Sequence, residues 1–133
     1  MPSDEPQGPS DAVTLDGVRV LVVEDDALLA LDLDATLASR GCAVLGPFGT
    51  ATAAIAKING ESIDAAVLDL NLNGETSIPV ADMLAGRGIP FLFLSGYDRD
   101  VLPDRHDAAP LLRKPHRDVD LLRLLARLLH RAG

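Results

Sequence analysis

The chain is 133 residues long and 47% apolar, room for one domain with its own core and too apolar for intrinsic disorder. No uninterrupted apolar run approaches the ~18 residues of a membrane span, and the single cysteine, Cys42, excludes an internal disulfide and a cysteine-rich zinc site. The net charge of −8 argues against non-specific nucleic-acid binding and is uneven, with 15 acids and 4 bases in residues 1–98 against 5 acids and 8 bases in 99–133.

Residues 1–16 are polar, hold three prolines and a glycine, and lack the basic and apolar stretches of a secretory leader. They are expected to form a disordered tail on a cytoplasmic chain, with the folded domain over 17–133. Val18-Arg19-Val20-Leu21-Val22-Val23 is short and nearly all apolar, the pattern of a strand buried on both faces. It ends at Glu24-Asp25-Asp26. A helix is predicted over 27–39, where Leu28, Leu31, Leu37 and Ala38 recur near helical spacing before Gly41. A second strand over 42–45 ends at Gly46-Pro47, and an alanine-rich helix over 50–59 is closed by Gly60. A third strand, 63–68, terminates at Asp69, and a loop with Asn71, Asn73 and Gly74 leads to a helix over 78–86. A fourth strand, 89–94, ends at Ser95-Gly96. Residues 97–109 are mostly polar around Pro103, so a fourth helix there is short or irregular. A fifth strand, 110–113, ends at Lys114-Pro115, and a last helix spans 118–131.

Strands alternating with helices predict an α/β fold, a flavodoxin-like doubly wound sheet of five parallel strands in the order 2-1-3-4-5 with helices on both faces. Such sheets bind ligands beyond the carboxyl ends of their strands. The residues that end the strands are Glu24 and Asp25, Asp69, Ser95 and Lys114. Clustered carboxylates repel one another unless a hard cation such as Mg²⁺ joins them, and a lysine beside them can pair with a carboxylate at rest and a phosphoryl oxygen later. Metal, lysine and hydroxyl donor together suit phosphoryl transfer, with a carboxylate as nucleophile. Asp69, on the central strand, is the candidate. Helix capping explains one acid of the Glu24-Asp25-Asp26 run, most naturally Asp26, and leaves Glu24 and Asp25 over.

The stretches VLVVEDD (20–26), AAVLDLNL (65–72), FLFLSGY (91–97) and LLRKP (111–115) stand in register on these strands. Through them the sequence resembles the receiver domains of bacterial response regulators over about residues 17–131. The resemblance implies that Asp69 is the phospho-acceptor, that Asp25 binds Mg²⁺ directly and Glu24 through water, and that Asp69 and the Asn71 backbone carbonyl complete the protein ligands. It places Ser95 and Lys114 on the phosphoryl group and makes the Lys114–Pro115 peptide cis. The family's switch aromatic is replaced by Leu111, and Tyr97 is a candidate substitute. Phe93-Leu94-Ser95-Gly96-Tyr97 resembles the F-A-T-G-Y stretch of a subgroup of single-domain receivers with a reduced fourth helix.

The implied function is that of a stand-alone receiver rather than an enzyme, one that assists its own phosphotransfer and can slowly dephosphorylate. It takes its phosphoryl group from a sensor histidine kinase or a histidine phosphotransferase and passes the signal to a downstream protein target. The alternative is a pseudo-receiver, an interaction module that acts without phosphorylation. No nucleic-acid or membrane partner is expected, and a homodimer through the fourth and fifth elements is an option. Asp69 to Gly74 also opens like a calcium EF-hand loop, but its twelfth position is Val80 instead of glutamate. In the last helix Leu121, Leu124, Leu125, Leu128 and Leu129 are expected to face inward. His106, His116 and His130 sit at no ligand spacing and are expected on the surface, with Cys42 as a small buried filler.

Overall fold

A computed structural model describes residues 15–96 and 102–132. Five strands, β1 (Arg19–Val23), β2 (Ala43–Phe48), β3 (Ala65–Asp69), β6 (Phe91–Ser95) and β7 (Leu111–Arg113), form a parallel sheet in the order β2-β1-β3-β6-β7. Two short strands, β4 (Asn71–Leu72) and β5 (Glu75–Thr76), make a separate antiparallel hairpin after β3. The helices are α1 (Ala27–Ala38), α2 (Ala51–Ile58), α3 (Ile78–Gly86) and α4 (Asp118–Ala132). With the hairpin set aside, the strand order is the predicted doubly wound one.

The alternation of side chains along buried strands sorts the core into two layers. Leu21, Val23, Ala66, Leu68 and Phe93 face α2 and α3, meeting Ala54, Ile58, Val80 and Leu84. Val20, Val22, Val67, Leu92 and Leu94 face the opposite way, onto Leu33 and Leu37 of α1 and Leu121, Leu125 and Leu128 of α4. Leu124 and Leu129 pack partly buried against this second layer, and Cys42 is buried within it. Asp26 caps α1 as expected, its Oδ1 accepting from the Leu28 and Leu29 amides at 3.0 and 3.1 Å.

Several elements differ from the sequence expectation. Strand β2 runs on through Pro47 to Phe48, because it lies at the sheet edge, where a missing amide leaves no ladder bond unmade. Gly46 sits at φ 101°, and a Cβ there would lie 2.8 Å from the Val22 carbonyl oxygen. Both Gly46–Pro47 and Lys114–Pro115 are cis. Asn73 and Gly74, at φ 48° and 97°, form the turn of the β4–β5 hairpin, where only a loop was expected. Residues 1–14 of the expected tail lie outside the described residues; Leu15 is buried, and its carbonyl accepts from the Val18 amide.

On α1 the buried positions are Leu33 and Leu37, whereas Leu28 and Leu31 are 79% and 66% exposed, and Ala38 is exposed too. The apolar spacing thus covers only part of the core-facing stripe. The helical element between Leu102 and Pro110 is a single 3₁₀ turn, Asp104–His106. This agrees with a short fourth helix, although residues 97–101, with Tyr97, lie outside the described residues. His106 is a correction: it is buried, at 4% exposure, against Phe91 and Phe93. His116 is half-buried and His130 exposed.

Candidate functional site

Parallel pairing aligns the carboxyl ends of β1, β3, β6 and β7, so their terminal residues converge on one edge. Glu24 follows β1 and is 2% exposed; Asp69 closes β3 at 4%; Ser95 closes β6 at 1%. Asp25 is exposed at the mouth. One carboxylate oxygen each from Glu24, Asp25 and Asp69 lie within 4.8 Å of one another. Lys114, just beyond β7, donates from Nζ to Asp69 Oδ2 at 3.1 Å and to Glu24 Oε1 at 3.2 Å. Its amide donates to the Ser95 carbonyl at 2.8 Å, which fixes the start of the long side chain at the end of β6.

Backbone donors hold the carboxyl groups in place. The Asn71 amide donates to Asp69 Oδ1 at 3.3 Å, and the Asp26 amide donates to Glu24 Oε2 at 3.2 Å. Burial, reinforced by Asp69, raises the Glu24 carboxyl from 4.5 to about 7. Burial alone would lower the Lys114 ammonium, but Asp69 and Glu24 together outweigh it and hold the lysine above its ordinary value. At neutral pH the edge is therefore a crowded acid cluster bridged by one cation.

The donor set suits a divalent cation. Mg²⁺ takes oxygen ligands at about 2.1 Å, which places ligand oxygens no more than about 4.2 Å apart across the ion. The three carboxylates stand within a small adjustment of that span. Asn71, exposed, opens the hairpin two residues beyond Asp69. Leu111 is half-buried in β7, opposite Phe93 of β6.

Two neighbouring features were not foreseen from the sequence. A cleft of about 290 Å³ opens beside Glu24 and Lys114, lined by Leu29, Asp32, Leu33, Leu94, Pro115 and His116. Burial pushes the His116 imidazole below its ordinary value. Exposed Leu28, Leu29 and Leu31 lie on the same helix, α1, whose Leu29, Asp32 and Leu33 line that cleft. Their exposure could not be read from spacing, since apolar residues in a helix ordinarily point inward.

No family model matches the chain. It is 30% identical over 116 residues to the phyllosphere-induced regulator PhyR of Methylorubrum extorquens, an alignment covering 84% of this chain and 43% of that protein. The chain spans about half the length of the curated relatives it matches. The solution structure of SdrG from Sphingomonas melonis matches at 38% identity and a TM-score of 0.74, over 85% of this chain and 97% of that one. The crystal structure of a response regulator receiver protein from Sinorhizobium medicae matches at 25% identity and a TM-score of 0.77, over 90% of this chain and 100% of that one. The doubly wound five-stranded sheet of this chain is the fold of that solved receiver protein. The chain belongs to the response regulator receiver domains of two-component signalling.

Proposed function

We propose that the chain is a phosphorylation switch in which Asp69 accepts a phosphoryl group from a phosphohistidine on a sensor histidine kinase or a histidine phosphotransferase. The observation that carries this reading is the Lys114 ammonium bridging Asp69 and Glu24, with Asp25 beside them. An Asp69 carboxylate oxygen forms the new bond to phosphorus while the bond to the donor imidazole nitrogen breaks, its electron pair returning to the ring. The product is an acyl phosphate. Asp25, Glu24, Asp69 and the Asn71 carbonyl would hold Mg²⁺, which supplies charge neutralisation on the moving group. Lys114 exchanges part of its contact with Asp69 for a phosphoryl oxygen, and the Ser95 hydroxyl donates to another. The added charge, near −2, then draws the end of β6 toward the site and shifts the chain between two conformations.

The exposed leucines of α1, the helix whose Leu29 lines the cleft with Glu24, Lys114 and His116, offer an apolar landing surface for the protein donor. Signal output is assigned to a downstream protein, or a second copy, on the surface formed by the 102–110 segment, β7 and α4. Among the described residues no helix is long and apolar enough to cross a membrane, and we place the switch in the cytoplasm. Incubation with a small-molecule phosphodonor and Mg²⁺ should add the mass of one phosphoryl group to the wild type and none to Asp69→Ala. Addition that persists in Asp69→Ala would overturn the assignment. No addition to the wild type would favour a pseudo-receiver that acts by binding alone.

A further inference from the structure

Between Leu102 and Pro110 the chain is held by side chains instead of a regular helix. Arg105 grips Asp82 of α3 with two parallel bonds, Nε to Oδ1 at 2.8 Å and Nη2 to Oδ2 at 3.1 Å. His106 Nε2 meets the same Oδ1 at 2.7 Å. The His106 ring stands edge-on to Phe91 and Phe93, with centroids 5.4 and 6.1 Å away. Arg105 first, then His106, holds the Asp82 carboxyl down at about 2, so this carboxylate stays charged throughout the neutral range.

These contacts tie the segment to two elements at once, β6 and α3. Phe91 and Phe93 belong to β6, the strand that ends at Ser95, and the Phe93 amide donates to Pro110 at the far end of the segment. Asp82 lies on α3, which follows the hairpin after Asp69. One side of the clamp is buried under His106, while Arg105 and Asp82 are 57% and 43% exposed, so the ion pair is open to water and can be exchanged for solvent at modest cost.

We propose that Asp82, Arg105 and His106 form a latch that holds the 102–110 segment on α3 and β6, and that the closed latch opposes the phosphorylated conformation. Only the second half of this proposal rests on Asp69 being the phospho-acceptor. A closed latch takes part of the interaction free energy that phosphorylation would otherwise use to shift the population. Breaking it makes the active conformation easier to reach.

Hydrogen exchange on the metal-free full chain tests the first half. In Asp82→Ala, where alanine suits the exposed helix position, the His106 and Ala109 amides should exchange roughly tenfold faster while β1 and β3 keep their protection. His106→Phe keeps an aromatic ring on Phe91 and Phe93 but loses the bond to Asp82, and should show the same change. Unaltered exchange in both variants overturns the latch. Calorimetric titration with beryllofluoride and Mg²⁺ tests the second half: affinity should rise about fivefold or more in Asp82→Ala. Equal or weaker affinity alongside faster exchange overturns the coupling. A wild type that binds no beryllofluoride at all counts against the phospho-acceptor reading, and with it the coupling, while the exchange result still decides the latch.

Discussion

Lys114 Nζ lies 3.1 Å from Asp69 Oδ2, so a side chain rooted beyond the edge strand β7 reaches across the end of β6 to the central strand β3. The same nitrogen is 3.2 Å from Glu24 Oε1, at the end of β1. One cation thus satisfies two buried acids from two strands, and the unmodified site is stable only while it stays there. A phosphoryl group or a metal that neutralises the acids changes what the lysine is needed for.

The metal-free protein should therefore depend on Lys114 for stability. Lys114→Met leaves Glu24 and Asp69 facing each other without a counter-charge and should cost about 2–3 kcal/mol at pH 7.5. Asp69→Asn removes one of the two acids and should stabilise the protein by about 1 kcal/mol. Urea denaturation of the three proteins in chelator measures both. A Lys114→Met protein as stable as the wild type would show that the ammonium offsets nothing.

Glu24 sets a pH dependence whose direction is opposite to that of an ordinary ion-paired carboxylate. Its folded value, about 7 against 4.5, means that the folded metal-free chain binds more protons than the unfolded chain between those limits. Metal-free stability should fall as pH rises through that window and level off above it. Mg²⁺ must displace this proton, so its affinity should weaken as pH drops below 7, by at most about tenfold per pH unit for a single proton. Titration calorimetry from pH 5.5 to 8, in buffers of different ionisation heat, counts the protons released. In Glu24→Gln the stability slope should flatten; a slope equal to that of the wild type would assign it to another group.

The hairpin after Asp69 should be sensitive to its turn. Gly74 holds φ 97°, and nothing lies within 4 Å of where a Cβ would stand, so Gly74→Ala tests backbone strain without a clash. The expected cost is about 1–2 kcal/mol in denaturant melts. Loosening the hairpin also loosens Asn71, whose amide holds Asp69 Oδ1, and phosphorylation by a small-molecule donor should slow modestly. A stability unchanged within error would mean that the turn readjusts to an ordinary conformation.

Much of this arrangement could be read from the chain. β1, β3 and β6 announce themselves as short apolar runs because both faces of a parallel strand are covered. The site follows from which residues end those runs, and α3 spans the predicted 78–86. What escaped depended on partners distant in sequence. His106 sits in a polar stretch with no periodicity, and only Asp82, Phe91 and Phe93 make it a buried residue. Pro47 looked like a strand end because its edge position, where proline is tolerated, is a property of the assembled sheet. Asn73-Gly74 carried a hairpin signal, but flanking strands of two residues each are too short to show alternation.

The leucines of α1 separate folding from recognition. Leu28 is 79% exposed and makes no part of either core layer, so Leu28→Glu should leave stability within about 0.5 kcal/mol of the wild type. If the apolar surface beside Glu24, Lys114 and His116 receives the phosphodonor protein, the same substitution should lower the efficiency of transfer from a histidine kinase or phosphotransferase by roughly tenfold, the effect of losing one moderately important interface side chain. Phosphorylation by a small-molecule donor uses only the edge residues and should proceed at the wild-type rate. Parallel time courses with the two donor types give the comparison directly. Equal slowing with both would place the defect in the chemistry at Asp69, and no slowing with either would remove α1 from the docking surface.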